Sequence, residues 1–219
     1  MSPAAEIIRI GKLLQQAGMV AATDGNISVR ADAYSFYITA SGVRKDSLTE
    51  NDISKLDLDC NPVTHSNKPS TESKIHAALY RARPDIGAVV HAHPVHATAF
   101  SASPHSLDQP VFPEVVLSLG RIPLCKYATP STADLPASLD PYIEFATVFL
   151  LQNHGAVATG KTLEQAFNRM DKLEHYAKMM SILITTGGFH QLKRKKLKEL
   201  YAIAEKIYGI TLHPKNRFL

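Results

Sequence analysis

Three histidines in this 219-residue chain carry donors suited to a divalent metal. His91 and His93 stand two apart at the end of the apolar run Ala88-Val89-Val90, and His154 follows in Leu151-Gln152-Asn153-His154-Gly155. Alternate residues of a strand project to one face, so an apolar strand ending in His-x-His presents two imidazoles side by side. A third imidazole completes an open site. Neutral nitrogen ligands suit zinc and related divalent ions, and three protein ligands leave a position for substrate, whereas structural zinc sites fill four positions and favour thiolates. The chain has 10 histidines, so spacing alone also admits a chance pairing.

Upstream, Pro69-Ser70-Thr71-Glu72-Ser73-Lys74-Ile75-His76 predicts a helix over about 71–82, capped by Ser70 or Thr71, with Ile75, Leu79 and Ala82 on its apolar face. Glu72 then falls in the first turn, where it either complements the helix dipole or carries chemistry of its own. Ser70 and Thr71 either cap the helix or, with its unpartnered leading N–H groups, face an anion. Gly25-Asn26 reads in the same two ways, as a plain turn or as part of a binding loop.

Taken in order, Thr23-Asp24-Gly25-Asn26-Ile27-Ser28-Val29-Arg30, Ile38-Thr39-Ala40-Ser41-Gly42-Val43, Pro69 to Glu72, His91-x-His93 and Asn153-His154-Gly155 resemble the class II aldolase/adducin family. The resemblance covers about residues 5–180. That family contains L-fuculose-1-phosphate and L-rhamnulose-1-phosphate aldolases, L-ribulose-5-phosphate 4-epimerase, related decarboxylases and the non-catalytic adducin head domain. The resemblance implies a three-layer α/β/α sandwich around a mixed, mostly antiparallel sheet. It implies a metal held by His91, His93 and His154, zinc first, with Mn2+ or Co2+ as alternatives. Substrate phosphate falls to Gly25, Asn26, Ser41, Gly42, Ser70 and Thr71, and proton transfer to Glu72. The expected reaction is reversible cleavage of a ketose 1-phosphate, similar to L-fuculose 1-phosphate, to glycerone phosphate and an aldehyde through a metal-bound enediolate. Epimerisation, decarboxylation and a binding domain without catalysis are the alternatives within the family.

One departure qualifies the resemblance, and two further residues bear on it. The segment Gln109–Val115 lacks the tyrosine that the fuculose-phosphate aldolase places near the aldehyde from an adjacent subunit; Phe112 and Glu114 are nearest. His96 adds a further histidine after Pro94, and its position on the next helix makes it a supporting or core histidine rather than a ligand. Tyr208-Gly209 matches the family's C-terminal Tyr-Gly, whose phenol protonates or orients the aldehyde oxygen; the same residue also reads as an aromatic on an amphipathic tail. The family assembles as cyclic tetramers, so a homotetramer is expected, with Tyr208 on a mobile C-terminal region.

The elements that must position these groups follow from pattern. A helix near 4–17 buries Ile7, Ile8, Leu13 and Leu14 and ends at Gly18; strands fall near 35–40, 54–58, 86–91, 121–125, 146–152 and 155–159. Thr162-x-x-Gln165 opens a long helix to about 184, broken at Gly187-Gly188. With 45% hydrophobic residues and no shift in composition, residues 1–219 read as one domain, with a C-terminal helix and tail over about 190–219. Short apolar stretches predict neither a membrane span nor a signal peptide, and Cys60 and Cys125 are too few for a disulfide framework, so a soluble cytoplasmic protein is expected. Lys193, Arg194, Lys195, Lys196 and Lys198 form one basic cluster, and without it the chain, formally +4, is near neutral. Interleaved with Leu197, Leu200, Ile203, Ala204 and Ile207, this cluster reads as a solvated helix face rather than a nucleic-acid surface.

Overall fold

The computed structural model describes residues 1–64 and 67–219. Helix α1 (Pro3–Gln16) starts where Ser2 accepts a hydrogen bond from the Ala5 amide at 3.2 Å and Pro3 presets the first turn. It ends before Gly18, whose φ of 67° suits a residue without Cβ. Ile7, Ile10 and Leu14 form its buried stripe, and burial of each such side chain contributes about 1.5–3 kcal/mol.

Seven strands follow: β1 (Asn26–Arg30), β2 (Ser35–Thr39), β3 (Ile53–Asp57), β4 (Ala88–Ala92), β5 (Leu124–Cys125), β6 (Val148–Leu151) and β7 (Gly155–Gly160). They build one sheet in the order β3-β2-β1-β4-β7-β6-β5. Only the β5–β6 pair is parallel, so the expected mixed, mostly antiparallel sheet is present. Its two faces are covered separately. One face of β4 and β7 packs with α1, α3 (Val95–Ser101), α4 (Pro113–Ser118) and the long α6 (Leu163–Thr185). On the other lie α2 (Ser73–Ala82) and α5 (Asp134–Ala137), which gives three layers. None of the helices among the described residues is long and apolar enough to cross a membrane.

Several sequence expectations shift. β1 is a full strand between β2 and β4 that is not among the expected strands, although Asn26-Ile27-Ser28-Val29-Arg30 alternates polar and apolar residues with a strand's period of two. β5 shrinks from the predicted 121–125 to two residues after Pro123, which has no ladder donor. Helix α2 begins at Ser73, leaving Glu72 at the cap position, not in the first turn. The cause is a short antiparallel junction: Ser41 N donates to Lys68 O, Ala40 bridges Pro69, and Ser70 N donates to Thr39 O at 3.1 Å. This holds residues 68–70 against the end of β2 and delays the helix. Ala82 is exposed, and the buried face of α2 includes His76 and Tyr80 beside Ile75 and Leu79.

The C-terminal helix α7 (Arg194–Tyr208) also differs from its predicted face. Leu197, Tyr201 and Ala204 are buried, whereas Ile203 and Ile207 are exposed. The basic cluster preceding and opening it faces solvent, as expected. Beyond Tyr208 the chain is docked, not loose. Asn216, 1% exposed, donates to Leu119 O and accepts from the Arg121 amide at 2.9 Å, and Phe218 N donates to the Tyr201 hydroxyl.

Candidate functional site

β4 delivers the first two histidines to the α2 face of the sheet. His91 is fully buried and donates through Nδ1 to the Ala156 carbonyl at 2.9 Å, which turns its Nε2 toward His93 and Glu72. His93 Nε2 lies 3.2 Å from that atom. The third imidazole comes from the β6–β7 turn, where Asn153 adopts φ 56° and projects His154 inward. Ring centroids of the three pairs lie 4.9–5.2 Å apart, and one ligand nitrogen from each falls within 4.8 Å of the others. Gly155 makes this approach feasible: a Cβ there would meet His93 Cδ2 at 2.4 Å.

The donor set fits a divalent cation. Two nitrogens bound at about 2.1 Å to a tetrahedral ion stand about 3.4 Å apart, close to the His91–His93 separation. Burial first, then the neighbouring imidazoles, pulls His154 down to about 4 and lowers His93, so both favour the neutral, ligating form. His154 Nδ1 is buried without a hydrogen-bond partner among the described residues. Asp24, 3.5 Å from His93 Nδ1, is positioned to orient that ring.

Glu72 sits beneath the three rings, with Oε2 3.2 Å from His91 Nε2 and Oε1 3.3 Å from His154 Nε2. Asn26 Nδ2 donates to Oε2 at 3.0 Å. Burial works to raise the carboxyl pKa, but His91, His154 and Asn26 outweigh it and hold Glu72 well below the usual carboxylate range. The sequence leaves the outcome of this contest open.

A cavity of ≈ 320 Å³ opens above these groups, lined by Gly25, Asn26, Ser41, Gly42, Ser70, Thr71, Glu72, His93 and His154 together with Thr23, Asp24 and Ala40. Every position expected to meet phosphate therefore lines one space with the carboxylate and two of the histidines. The junction between residues 39–41 and 68–70 joins the two serine-bearing loops. Gly25 turns at φ 74°, and a Cβ would press on His91 O at 2.7 Å. Buried Lys45 ties the walls together by donating to Thr23 O and Val43 O at 3.0 and 2.9 Å; desolvation lowers its pKa to about 8.

Three residues lie apart from this cavity. Tyr208 ends α7, 66% exposed, and is not among the lining residues. His96 pairs with Glu174 at 2.7 Å, and the same carboxylate accepts from the amides of His96 and Ala97 at the start of α3. Phe112 packs edge-on against Tyr176. A larger groove of ≈ 610 Å³, lined in part by Lys161, Arg169 and Gly209, contains none of the expected site residues. Sequence reasoning assigned no role to Asp24, Lys45 or His76. For His76 a signal existed, because it follows Glu72 by four residues and therefore shares its helix face.

Residues 5–181 match the family model described as Class II Aldolase and Adducin N-terminal domain. The 3-oxo-tetronate 4-phosphate decarboxylase of Pectobacterium atrosepticum is 34% identical over 184 residues, 82% of this chain and 84% of its own length. The L-fuculose phosphate aldolase of Methanococcus maripaludis is 33% identical over 178 residues, covering 81% of this chain and 96% of that protein. In three dimensions, YgbL of Klebsiella pneumoniae superposes with a TM-score of 0.84 at 29% identity, covering 90% of this chain and 97% of that one.

Proposed function

Because the chain belongs to the class II aldolase and adducin family, we propose that it is a metal-dependent lyase that cleaves a carbon–carbon bond in a phosphorylated keto substrate to release glycerone phosphate. The observation that carries this reading is the convergence of three imidazoles beside Glu72, with Glu72, His93 and His154 lining one cavity together with Gly25, Asn26, Ser41, Gly42, Ser70 and Thr71. A divalent cation held by His91, His93 and His154, zinc by first preference, supplies a Lewis acid at the substrate carbonyl and neighbouring hydroxyl.

The remaining work belongs to the chain. The loops bearing Gly25, Ser41 and Ser70 orient the phosphate, with hydroxyls and the Asn26 amide as donors. As the carbon–carbon bond breaks, its electron pair moves into the carbonyl, and the carbon that lost its substituent needs a proton. Glu72 is placed to pass that proton, taken up from solvent in decarboxylation or from the substrate hydroxyl in aldol cleavage, to the carbon in the forward direction and to remove it in the reverse.

The leaving fragment distinguishes two reactions. Loss of carbon dioxide from a 3-oxo-tetronate 4-phosphate and loss of an aldehyde from a ketose 1-phosphate both leave glycerone phosphate. Releasing an aldehyde requires a group on the far side to take the proton of the substrate hydroxyl that becomes the aldehyde oxygen, and releasing carbon dioxide from a carboxylate does not. The Gln109–Val115 segment offers no tyrosine, and its Phe112 is packed against Tyr176, so decarboxylation is the preferred reading. The likeness to the decarboxylase of Pectobacterium atrosepticum supports it. Aldol cleavage is the second reading, favoured by the likeness to the L-fuculose phosphate aldolase along nearly that protein's whole length. A homotetramer in which Tyr208 reaches the cavity of a neighbouring copy would supply the missing proton-transfer group for that second reaction, an acceptor in cleavage and a donor in condensation.

The test supplies zinc-loaded protein with 3-oxo-tetronate 4-phosphates and with ketose 1-phosphates, and follows glycerone phosphate, carbon dioxide and aldehyde. Carbon dioxide with glycerone phosphate supports decarboxylation, aldehyde with glycerone phosphate supports aldol cleavage, and glycerone phosphate from neither rejects the proposal.

A further inference from the structure

Behind Asn26 the polar contacts continue into the protein instead of ending. His76 is fully buried with Nε2 2.5 Å from Asn26 Oδ1 and Nδ1 2.5 Å from Ser28 Oγ. Ser28 Oγ in turn lies 2.7 Å from the hydroxyl of buried Tyr80. These groups come from two neighbouring elements, Asn26 and Ser28 from alternate positions of β1, and His76 and Tyr80 four residues apart on α2.

The direction of every bond in this row is fixed by its two ends. A carboxylate only accepts, so the Asn26 amide must turn its NH2 toward Glu72 and its oxygen toward His76. His76 must then donate from Nε2. Desolvation holds this imidazole neutral, down to about 3, so Nδ1 is a bare acceptor and Ser28 donates to it. Ser28 Oγ accepts from Tyr80. The row runs Tyr80 to Ser28 to His76 to Asn26 to Glu72, each group donating to the next.

We propose that His76, with Ser28 and Tyr80 behind it, is a positioning residue that locks the Asn26 carboxamide with its NH2 toward Glu72 and the cavity. Two anions, the Glu72 carboxylate and the substrate phosphate, meet Asn26 in the proposed reaction. A flipped amide would present its oxygen to both. An isolated asparagine selects its orientation only by the contacts it makes; here a buried imidazole of fixed tautomer selects it before substrate arrives. The buried polar row, unusual on an otherwise apolar helix face, thereby acquires a purpose beyond mutual satisfaction of its members.

This inference rests on Asn26 and Glu72 serving the reaction proposed above, but two of its tests need no turnover. In the unmodified protein, nitrogen-15 NMR of the imidazoles should find His76 neutral with its proton on Nε2 at pH 7. An Nδ1–H tautomer or an imidazolium overturns the proposal whatever the enzyme catalyses. Calorimetric titration with inorganic phosphate should give roughly 10-fold weaker binding for Asn26→Ala and for His76→Phe.

Once a substrate is found, the cycle of Asn26→Ala, His76→Phe and the double variant distinguishes positioning from plain support. Acting through Asn26, His76→Phe should lower turnover by roughly 10-fold or more in the native background and add nothing in Asn26→Ala. His76→Gln, which keeps a donor near the Nε2 position, should recover most of that loss. Equal losses in both backgrounds overturn the positioning role. Should His76→Phe fail to fold, Ser28→Ala removes a single oxygen and still frees the His76 tautomer; unchanged His76 nitrogen signals in that variant overturn the proposal as well.

Discussion

Glu72 gathers more partners than any other side chain in the cavity: two imidazoles, one amide and, at its backbone N, the Ser70 hydroxyl at 3.3 Å. A carboxyl group so held is oriented before substrate arrives. Glu72→Gln preserves its size and removes proton transfer. We expect turnover to fall by roughly 100-fold or more while bound zinc, measured by atomic emission, stays near that of the native protein. The sharper assay follows the hydroxymethylene protons of glycerone phosphate in deuterated water, and unimpaired exchange in Glu72→Gln would assign the proton carrier elsewhere. His76 carries a second prediction at this scale. Its folded pKa of about 3 lies below the ordinary 6.5, so the unfolded chain binds a proton that the native protein refuses. Its contribution to stability is complete above about pH 6.5 and declines as pH falls toward 3, by about 1.4 kcal/mol per pH unit. Urea unfolding of metal-free protein across this range should therefore show a steeper acid loss for the native chain than for His76→Gln, and parallel curves would contradict a buried neutral imidazole.

Among the elements, the junction of residues 39–41 with 68–70 decides where the anion wall stands. Two backbone hydrogen bonds around the Ala40–Pro69 bridge extend the end of β2, bring Ser41 and Ser70 to one cavity and set Glu72 just ahead of α2. The double variant Ser70→Ala, Thr71→Ala should weaken phosphorylated ligands roughly 10-fold while leaving their dephosphorylated counterparts nearly unchanged; equal losses for both, read by calorimetry, would reduce these residues to fold support. The same junction marks where the sequence stops being legible. Periodicity located α1, β2, β3, β4 and α6, because each has an apolar stripe of the proper period, and His-x-His on β4 followed from strand alternation. It did not reveal β1, whose face toward α2 is polar because it carries Asn26 and Ser28 of the buried row. Nor did it place the start of α2, since the pairing that delays the helix joins positions about thirty residues apart, and long-range pairing overrides local capping preference. Lys45 went unassigned for a related reason, since a buried lysine becomes meaningful only when distant partners such as Thr23 are known; His76 shared a predicted helix face with Glu72, but its partners Asn26 and Ser28 lie on β1.

At the scale of the whole molecule, the question is what covers the end of α7. Ile203, Ile207 and Tyr208 are 49%, 64% and 66% exposed, and Ile210 beyond the helix is 39% exposed, so the chain leaves an apolar strip beside the one aromatic hydroxyl expected to serve the site. In the proposed tetramer a neighbouring copy covers that strip and receives Tyr208 at its histidine cavity. Cutting the chain after Lys206 is a poor test, because it also removes Asn216, whose amide fastens Leu119 and Arg121. Point changes avoid this. Ile207→Glu should reduce the assembled mass in light scattering, since a charge on a covered apolar surface goes unpaired. Tyr208→Phe should leave mass and zinc content unchanged and distinguish the two lyase readings through the leaving fragment. Release of an aldehyde needs the phenol oxygen to take the proton of the substrate hydroxyl and should slow by roughly 100-fold, whereas release of carbon dioxide needs no such transfer and should slow little. Proton exchange into glycerone phosphate, which depends on Glu72, should survive in either case. An active monomer, or full-rate aldol cleavage by Tyr208→Phe, would remove Tyr208 from the site and leave the strip on α7 to another purpose.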